Sequence, residues 1–211
     1  MHQDPLPPRA TDVLNFWFSS TNLQDDPPLA WRERWFAGGP ALDAELRARF
    51  GALHADAAAG RCDHWKATLA GRLALIVVLD QFSRNIHRGT PAAFAQDSAA
   101  QALALEALAT GAESALGISQ RCFLLMPLEH AERLEHQQMC VQGFARLLAD
   151  TPTAHRERAE GFLAYAQKHH DIVARFGRFP HRNPILGRAH TPEEAAWLAG
   201  GGDTFGPTIQ K

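Results

Sequence analysis

The apolar run from Leu73 to Leu79 is the feature that most constrains how this chain folds. It lies within a segment from about Asp63 to His87 whose apolar residues recur at the spacing of an α-helix. A helix that is apolar nearly all round must be surrounded by other elements, whereas a helix that crosses a membrane needs roughly 20 apolar residues. We therefore expect this helix to form the centre of a bundle and not to span a membrane.

Apolar residues at three- and four-residue spacing recur along the rest of the chain, and the alternating pattern of strands is scarce. The sequence predicts an all-α fold, a multi-helix bundle of antiparallel helical hairpins. Its single domain is expected over residues 13–198, with flexible termini at 1–10 and 201–211. The predicted helices are Thr11 to Ser20, one starting at Pro27 and Pro28, Pro40 to Ala59, Asp63 to His87, Asp97 to Thr110, Ser119 to Leu148 with a break or kink at Pro127, Pro152 to Phe176 capped by Thr151, and a short last helix opened by a Thr191–Glu194 capping box.

Composition excludes several classes of function. The net charge of −2 gives no general attraction for nucleic acid, so no nucleic-acid partner is predicted. Three cysteines without a Cys-x-x-Cys spacing argue against a disulfide framework or a zinc ribbon and are expected in the core. The first ten residues lack the features of a signal peptide, which predicts a cytoplasmic protein.

Common enzyme motifs are also absent from the sequence. There is no nucleophile elbow, phosphate-binding loop, zinc-protease motif or dinucleotide fingerprint. The sequence therefore predicts no cofactor, and it leaves open whether the protein is an enzyme and what its oligomeric state is.

Polar residues interrupt the central helix directly after its apolar run. Asp80 and Arg84 are four residues apart and can pair along one helical face, with Gln81 and Asn85 as a parallel polar stripe. A buried carboxylate needs a partner or water. This pattern predicts either a structural ion pair or a polar pocket at this end of the helix.

Carboxylates and histidines recur after Pro127. Glu129, Glu132 and His136 have the spacing of one helical face, with His130 to one side. Such a face can bind a metal, but the Glu-x-x-His motif of helical di-iron proteins is not matched and has no second copy. We predict surface ion pairs such as Glu129 with Arg133, and no metal site.

His169 lies within the apolar stripe of the long helix that ends at Phe176. Buried histidines are commonly hydrogen-bonded structural residues, and they can also be catalytic groups. His169 is therefore a candidate for a buried, partnered imidazole with either role.

The segment from Arg175 to Pro184, followed by Arg188 and His190, is the most unusual stretch, because no acid occurs from Ile172 to Pro192. Its prolines restrict the backbone, so it is expected to form a rigid loop that presents several cations. Arginine suits bidentate binding of carboxylate or phosphate. The loop therefore binds an anionic ligand or clamps acids of the chain itself. The acids considered for this are Asp80, Glu129 and Glu132.

Four segments together carry a recognisable pattern: Asn15 to Phe18, Leu79 to Asn85, Phe123 to Glu132, and Arg175 to Asn183 with Leu186-Gly187-Arg188. They resemble the motifs of the bacterial domain-of-unknown-function family 924. The resemblance spans about Val13 to Leu198 and implies a helical, tetratricopeptide-like fold without an established activity. Ser83 replaces the proline usual in the family, and His170 replaces a more common arginine.

Three hypotheses for function follow. The first is a binding module with an arginine- and histidine-rich cleft for an anionic small molecule or peptide carboxylate. Its candidate residues are Asp80, Arg84, Asn85, Glu129, His130, His169, Arg178, His181, Arg182 and Asn183. The second is a hydrolase or lyase that uses acid–base chemistry in the same cleft. Its candidates are Asp80, Glu129, His130, His169 and His181, and neither Ser83 nor Ser98 has a base evident in sequence. The third is a structural scaffold for protein interactions.

Overall fold

A computed structural model describes residues 6–205, which form helices and turns without any strand. The all-α fold is therefore confirmed for this part of the chain. The helices are α1 (Pro8–Phe18), α2 (Leu29–Ala37), α3 (Pro40–Ala58), α4 (Leu69–Ile76), α5 (Ser83–Ile86), α6 (Asp97–Ala109), α7 (Ile118–Glu129), α8 (Leu134–Asp150), α9 (Arg156–Phe176) and α10 (Pro192–Ala199). Between α4 and α5, residues Val77–Phe82 form a π-helical segment.

The central helix comprises α4, the π-helical segment and α5. It packs against α1, α3, α6 and α7, and every residue from Leu73 to Leu79 is buried, as the apolar run predicts. The predicted start at Asp63 is wrong, because Asp63–Ala67 is a separate 3-10 turn and Thr68 is extended. Thr68 instead caps α4 by accepting a hydrogen bond from the amide of Gly71.

Gly71 provides a test of this helix start. A side chain at Gly71 would overlap the backbone carbonyl oxygen of Trp65, whereas Gly161 in α9 has open space around it. We expect Gly71→Ala to lower the free energy of unfolding by about 1 to 3 kcal/mol, because the backbone must move. Gly161→Ala should raise it by about 0.5 to 1 kcal/mol, the gain in helix propensity. Urea denaturation measures both, and equal effects would contradict the packing described here.

The second half of the chain is built on α7, α8 and α9, which pack side by side. Pro127 lies inside α7, which ends two residues later, so the predicted break occurs at Glu129 and α8 starts at Leu134. Gln137 of α8 donates hydrogen bonds to the carbonyl oxygens of Glu129 (2.6 Å) and Ala131 (2.7 Å). This turn fixes Glu129 and His130 at the carboxyl end of α7.

Most helix ends follow the predicted signals. Gly177 ends α9 with a φ of 68°, and Thr191 and Glu194 form the capping box of α10. Thr151 is not a cap, because its hydroxyl donates to the carbonyl of Leu147 and a 3-10 turn precedes α9. Pro8 begins α1 three residues before the predicted start, since proline suits the first turn of a helix.

Two sequence-based expectations concern the chain as a whole. Cys62, Cys122 and Cys140 are buried and free, as predicted. Within residues 6–205, no helix combines the length and the apolar composition that crossing a membrane requires. The outer parts of the two predicted flexible termini, 1–5 and 206–211, lie outside the described residues.

Candidate functional site

Asp80 is the centre of a buried polar cluster. It lies on the π-helical segment, an irregularity that is frequent at functional sites, and is 1% exposed. Its carboxylate accepts hydrogen bonds from His130 (2.8 Å), Arg84 (3.2 Å) and Gln81 (2.6 Å). Burial opposes ionisation, but His130 and Arg84 outweigh it and hold the pKa of Asp80 well below its usual range. Asp80 is therefore a carboxylate at neutral pH.

His130 has a defined tautomer. Asp80 can only accept, so Nδ1 of His130 carries a hydrogen and Nε2 has the lone pair in the neutral ring. Nε of Arg84 lies 3.2 Å from the same Nδ1, which cannot also accept a hydrogen bond from it. Burial and then Arg84 lower the pKa of His130, which favours the neutral imidazole. Its backbone carbonyl accepts a hydrogen bond from Arg182 at 3.0 Å.

Arg84 and Arg182 meet at the carboxylate of Asp97. The distances from their nitrogens to its two oxygens are 3.1 Å for Arg84 and 3.6 Å for Arg182. Both guanidinium groups lie over the ring of Phe94, at 5.4 and 4.8 Å, and Arg182 also lies 4.4 Å from the ring centroid of Phe179. We call Asp80, Arg84, Asp97, His130 and Arg182 the Asp80 cluster. Its two carboxylates and two guanidinium groups balance in charge.

Three nitrogen atoms in and beside the Asp80 cluster are buried without a hydrogen-bond partner among the described residues. They are Nη1 of Arg84, Nε of Arg182 and Nδ1 of His181. Buried polar atoms are nearly always hydrogen-bonded, so each of these needs an acceptor or donor. Guanidinium N–H groups suit the oxygens of carboxylate and phosphate. The cluster therefore contains guanidinium donors of the kind that bind anionic oxygens.

Glu129 and His169 lie beside the Asp80 cluster, 4% and 3% exposed, with 3.5 Å between Oε1 and Nδ1. Burial and then the charge of Asp80 raise the pKa of Glu129 to about 8. Burial lowers the pKa of His169 to about 3, and its Nδ1 donates to the carbonyl of Tyr165 at 3.0 Å. At neutral pH both groups are therefore mainly uncharged, and Glu129 can donate a hydrogen bond as a carboxylic acid.

His181 joins the cluster to a group of aromatic rings. Burial and then Arg182 lower the pKa of His181 to about 4, so its ring is neutral at pH 7. Its ring centroid lies 5.6 Å from that of Phe179 and 5.9 Å from that of Phe205. An anion that reaches Arg182 would therefore also lie near these rings.

The cationic loop mainly clamps acids of the chain. Arg188 binds Glu132 with two hydrogen bonds, at 2.6 and 2.8 Å, as predicted for one of the three acids considered. Arg178 binds Glu194 in the same way, and the side-chain nitrogen of Asn183 donates to Glu194 at 3.2 Å. The structure therefore places Arg178 and Asn183 in a separate network, outside the Asp80 cluster.

Asn85 also lies outside the cluster. Its side chain donates to the carbonyl of Gln81 at 2.8 Å and accepts from Arg88 at 2.8 Å, and Arg88 in turn binds Asp43. Asn85 is five residues after Asp80, a spacing that places the two side chains on different faces of a helix, whereas Arg84, four residues after Asp80, lies on the same face. Asn85 therefore belongs to the contact between α3 and α5.

The predicted face of Glu129, Glu132 and His136 does not form. Because α7 ends at Glu129, Glu132 lies in the turn, and His136 on α8 faces the side chain of Gln101 at 3.1 Å. The predicted ion pair of Glu129 with Arg133 is also wrong, since Glu129 is buried. In the part of the chain that the structure describes, no three His, Cys, Asp or Glu residues are arranged to hold a metal.

Ser83 has a histidine partner that the sequence did not reveal. Nε2 of His54 lies 2.7 Å from its hydroxyl, but that hydroxyl donates to the carbonyl of Leu79 at 2.6 Å. A hydroxyl has one hydrogen, so His54 donates to Ser83 and does not act as its base. This contact stabilises the helix pair and does not activate a nucleophile.

Sequence reasoning missed Asp97, Phe94 and Phe205. Asp97 was assigned only to the start of α6, and the two phenylalanines lie outside any motif. The proline before Phe94 and the glycines before Phe205 indicate turns, but no local pattern shows which cluster a turn contacts. These three residues enter the site through contacts distant in sequence.

The fold and the site define an all-helical protein with a buried cluster of ion pairs. The chain belongs to the family of bacterial proteins of unknown function DUF924, whose sequence profile matches residues 13–202. It is similar in structure to a protein of unknown function from Agrobacterium tumefaciens, with 35% sequence identity and a TM-score of 0.75, over 91% of this chain and 97% of that one. A search of curated proteins gave no match. The predicted family is thus confirmed. Neither the family nor the Agrobacterium protein has a stated activity.

Proposed function

We propose that this protein is a binding module for an anionic small molecule or peptide carboxylate, and that the Asp80 cluster holds the anion. The observation that carries the proposal is a pair of buried guanidinium nitrogens, Nη1 of Arg84 and Nε of Arg182, that have no hydrogen-bond partner within residues 6–205. The oxygens of a carboxylate are acceptors of the kind that these two nitrogens lack. The three free thiols fit a cytoplasmic location, which is part of the proposal.

The electrostatics of Arg182 support the same conclusion. Burial and then the neighbouring charge of Arg84 lower the pKa of Arg182 to about 10, although Asp97 acts in the opposite direction. A lowered pKa means that the surroundings disfavour the cation. A bound anion would remove this penalty, so Arg182 is expected to gain most from the ligand.

Glu129 is also suited to such a ligand. With a pKa raised to about 8, it is mainly protonated at neutral pH and adds no negative charge beside Asp80. Its hydroxyl can donate to a ligand oxygen. Glu129 would therefore assist anion binding below about its pKa and oppose it when ionised.

Phosphate, sulfate or succinate at millimolar concentration should raise the melting temperature of the wild type. A ligand that binds only the folded state at a hundredfold excess over its Kd stabilises by about 2.7 kcal/mol, which is roughly 5 to 10 °C for a chain of this size. The shift should weaken as salt increases. Arg182→Lys keeps the charge but loses the planar fork and Nε, so it should lose most of the shift.

Arg178→Lys is the matched control, because the guanidinium of Arg178 binds Glu194 outside the Asp80 cluster. This variant should retain the ligand-dependent shift even if its own melting temperature is lower. If no anion shifts the wild type, the anion site is wrong and the cluster is architectural. If Arg178→Lys and Arg182→Lys lose the shift equally, the anion binds elsewhere.

A further inference from the structure

The C-terminal segment places an aromatic ring on His169. The ring of Phe205 stacks on this imidazole with 3.5 Å between centroids and an interplanar angle of 16°. Closely stacked neutral rings attract each other through dispersion, and the contact removes apolar surface from water. One face of the His169 ring is thereby covered by a residue from the end of the described chain.

Other rings surround Phe205. Its centroid lies 5.2 Å from that of Tyr165 and 6.3 Å from that of Phe179, both in edge-to-face geometry, and His181 contributes a third edge contact. Offset and edge-to-face contacts at these distances are the arrangements that aromatic rings prefer. The surrounding rings therefore form a subsite that fits a planar ring better than an aliphatic group of similar size.

The backbone shows that contacts hold this ring in place. Phe205 has a φ of 52°, in the left-handed region that a bulky side chain rarely adopts. Gly202 lets the segment pass over Trp197, because a Cβ there would overlap the indole ring. The chain thus adopts a disfavoured conformation that places Phe205 over His169, and the ring contacts offset its cost.

The rings that surround Phe205 lie next to the groups proposed to bind the anion. His181 contacts both Phe179 and Phe205, and the guanidinium of Arg182 lies 4.4 Å from the Phe179 centroid. A ring in the position of Phe205 would therefore have cationic and hydrogen-bonding groups at its border. A molecule with a planar ring and an attached carboxylate would match both parts.

We propose that the face of His169 under Phe205 is the ring subsite of the anion site, and that the ligand is a small aromatic carboxylate whose ring displaces Phe205. This inference rests on the proposed function, because the Asp80 cluster must hold the carboxylate. Phe205 occupies the subsite as an intramolecular competitor. Its departure uncovers His169 and His181 beside Arg182.

The test compares benzoate with cyclohexanecarboxylate, which has the same charge and a similar size but no planar ring, by calorimetry on the full chain. Phe205→Ala should bind benzoate about tenfold more tightly than the wild type does, because the competitor is gone. Cyclohexanecarboxylate should gain much less. Phe176→Ala is the control, because Phe176 packs against the same small apolar cluster but its ring contacts Trp197, with 5.2 Å between centroids and an interplanar angle of 56°.

The outcomes separate the two proposals. Equal binding of both carboxylates to Phe205→Ala, or no gain over the wild type, overturns the ring subsite while the anion site stands. If neither carboxylate nor inorganic phosphate binds any variant, the anion site itself is wrong.

A crystal of the wild type soaked in benzoate provides a second test that does not need the variant. Benzoate on His169 with Phe205 displaced supports the subsite, and Phe205 in place with benzoate elsewhere overturns it.

Discussion

Asp80→Asn is expected to lower the free energy of unfolding by about 3 to 5 kcal/mol at neutral pH, the usual cost of removing one partner from a buried charge pair. Asparagine keeps the shape of the side chain but removes the charge that Arg84 and His130 face. Asp97 would then be the remaining carboxylate partner of Arg84 among the described residues, and it also faces Arg182. Urea denaturation of the wild type and the variant measures the difference.

The control for this prediction is Asp171→Asn. Asp171 is exposed and accepts hydrogen bonds from His170 and Gln167, so its replacement should change stability by no more than about 0.5 kcal/mol. If Asp80→Asn behaved like Asp171→Asn, the Asp80 cluster would not be an architectural element. Its charges would then be retained for a ligand alone.

The acid dependence of Asp80 has a defined sign. Its folded pKa is depressed below the unfolded value of about 3.9, so the folded state binds fewer protons. The stabilisation is therefore present above about that pH and is lost as the pH falls through the folded pKa. The variant should consequently lose less stability than the wild type on acidification.

Regular helices were predictable because their signals are local. The spacing of apolar residues in the central helix, Gly177 after α9 and the capping box at Thr191 each act within a few residues. The helix starts predicted at Asp63 and Pro152 were wrong, because a 3-10 turn precedes each helix. Pro127 predicts either a break or a kink, and the structure has the break, with Gln137 bonded to the turn that follows α7.

The candidate site was predictable only in its helical half. Asp80 and Arg84 are neighbours on any helix, and their pairing follows from a four-residue spacing. The pairing of Arg178 with Glu194 and the stacking of Phe205 on His169 join residues from different elements. Charge type alone does not decide which of several arginines meets which acid, so the loop could be predicted as cationic but not assigned to its partners.

Architecture and binding are compatible in this cluster. The hydrogen bond between His130 and Asp80 holds the end of α7 to the central helix. One nitrogen each of Arg84 and Arg182 has no partner in that network or elsewhere in the described part of the chain. Loss of Asp80 should therefore destabilise the fold, whereas Arg182→Lys should mainly affect the ligand. This division distinguishes residues that build the site from residues that use it.

Glu129→Gln is expected to change how stability depends on pH. The pKa of Glu129 is raised to about 8 in the folded state, so between the unfolded value of about 4.3 and pH 8 the folded protein binds the additional proton. This contribution is fully present at low pH and is lost as the pH rises through about 8. From about pH 5 to about pH 8 the wild type should lose on the order of 3 kcal/mol relative to the variant, since each pH unit corresponds to about 1.4 kcal/mol.

The difference in the free energy of unfolding between the wild type and Glu129→Gln reports on Glu129 alone, because His130, His169 and His181 titrate in both proteins. Their pKa values are lowered, so they destabilise the fold as the pH falls below about 6.5, which is the opposite direction to the effect of Glu129.

Glu132→Gln is the matched control. Arg188 outweighs burial and lowers the pKa of Glu132, so its effect should be constant over this range. Parallel stability curves for the wild type and Glu129→Gln would mean that Glu129 is charged at neutral pH, and a third carboxylate beside Asp80 would remove the electrostatic basis for the anion site.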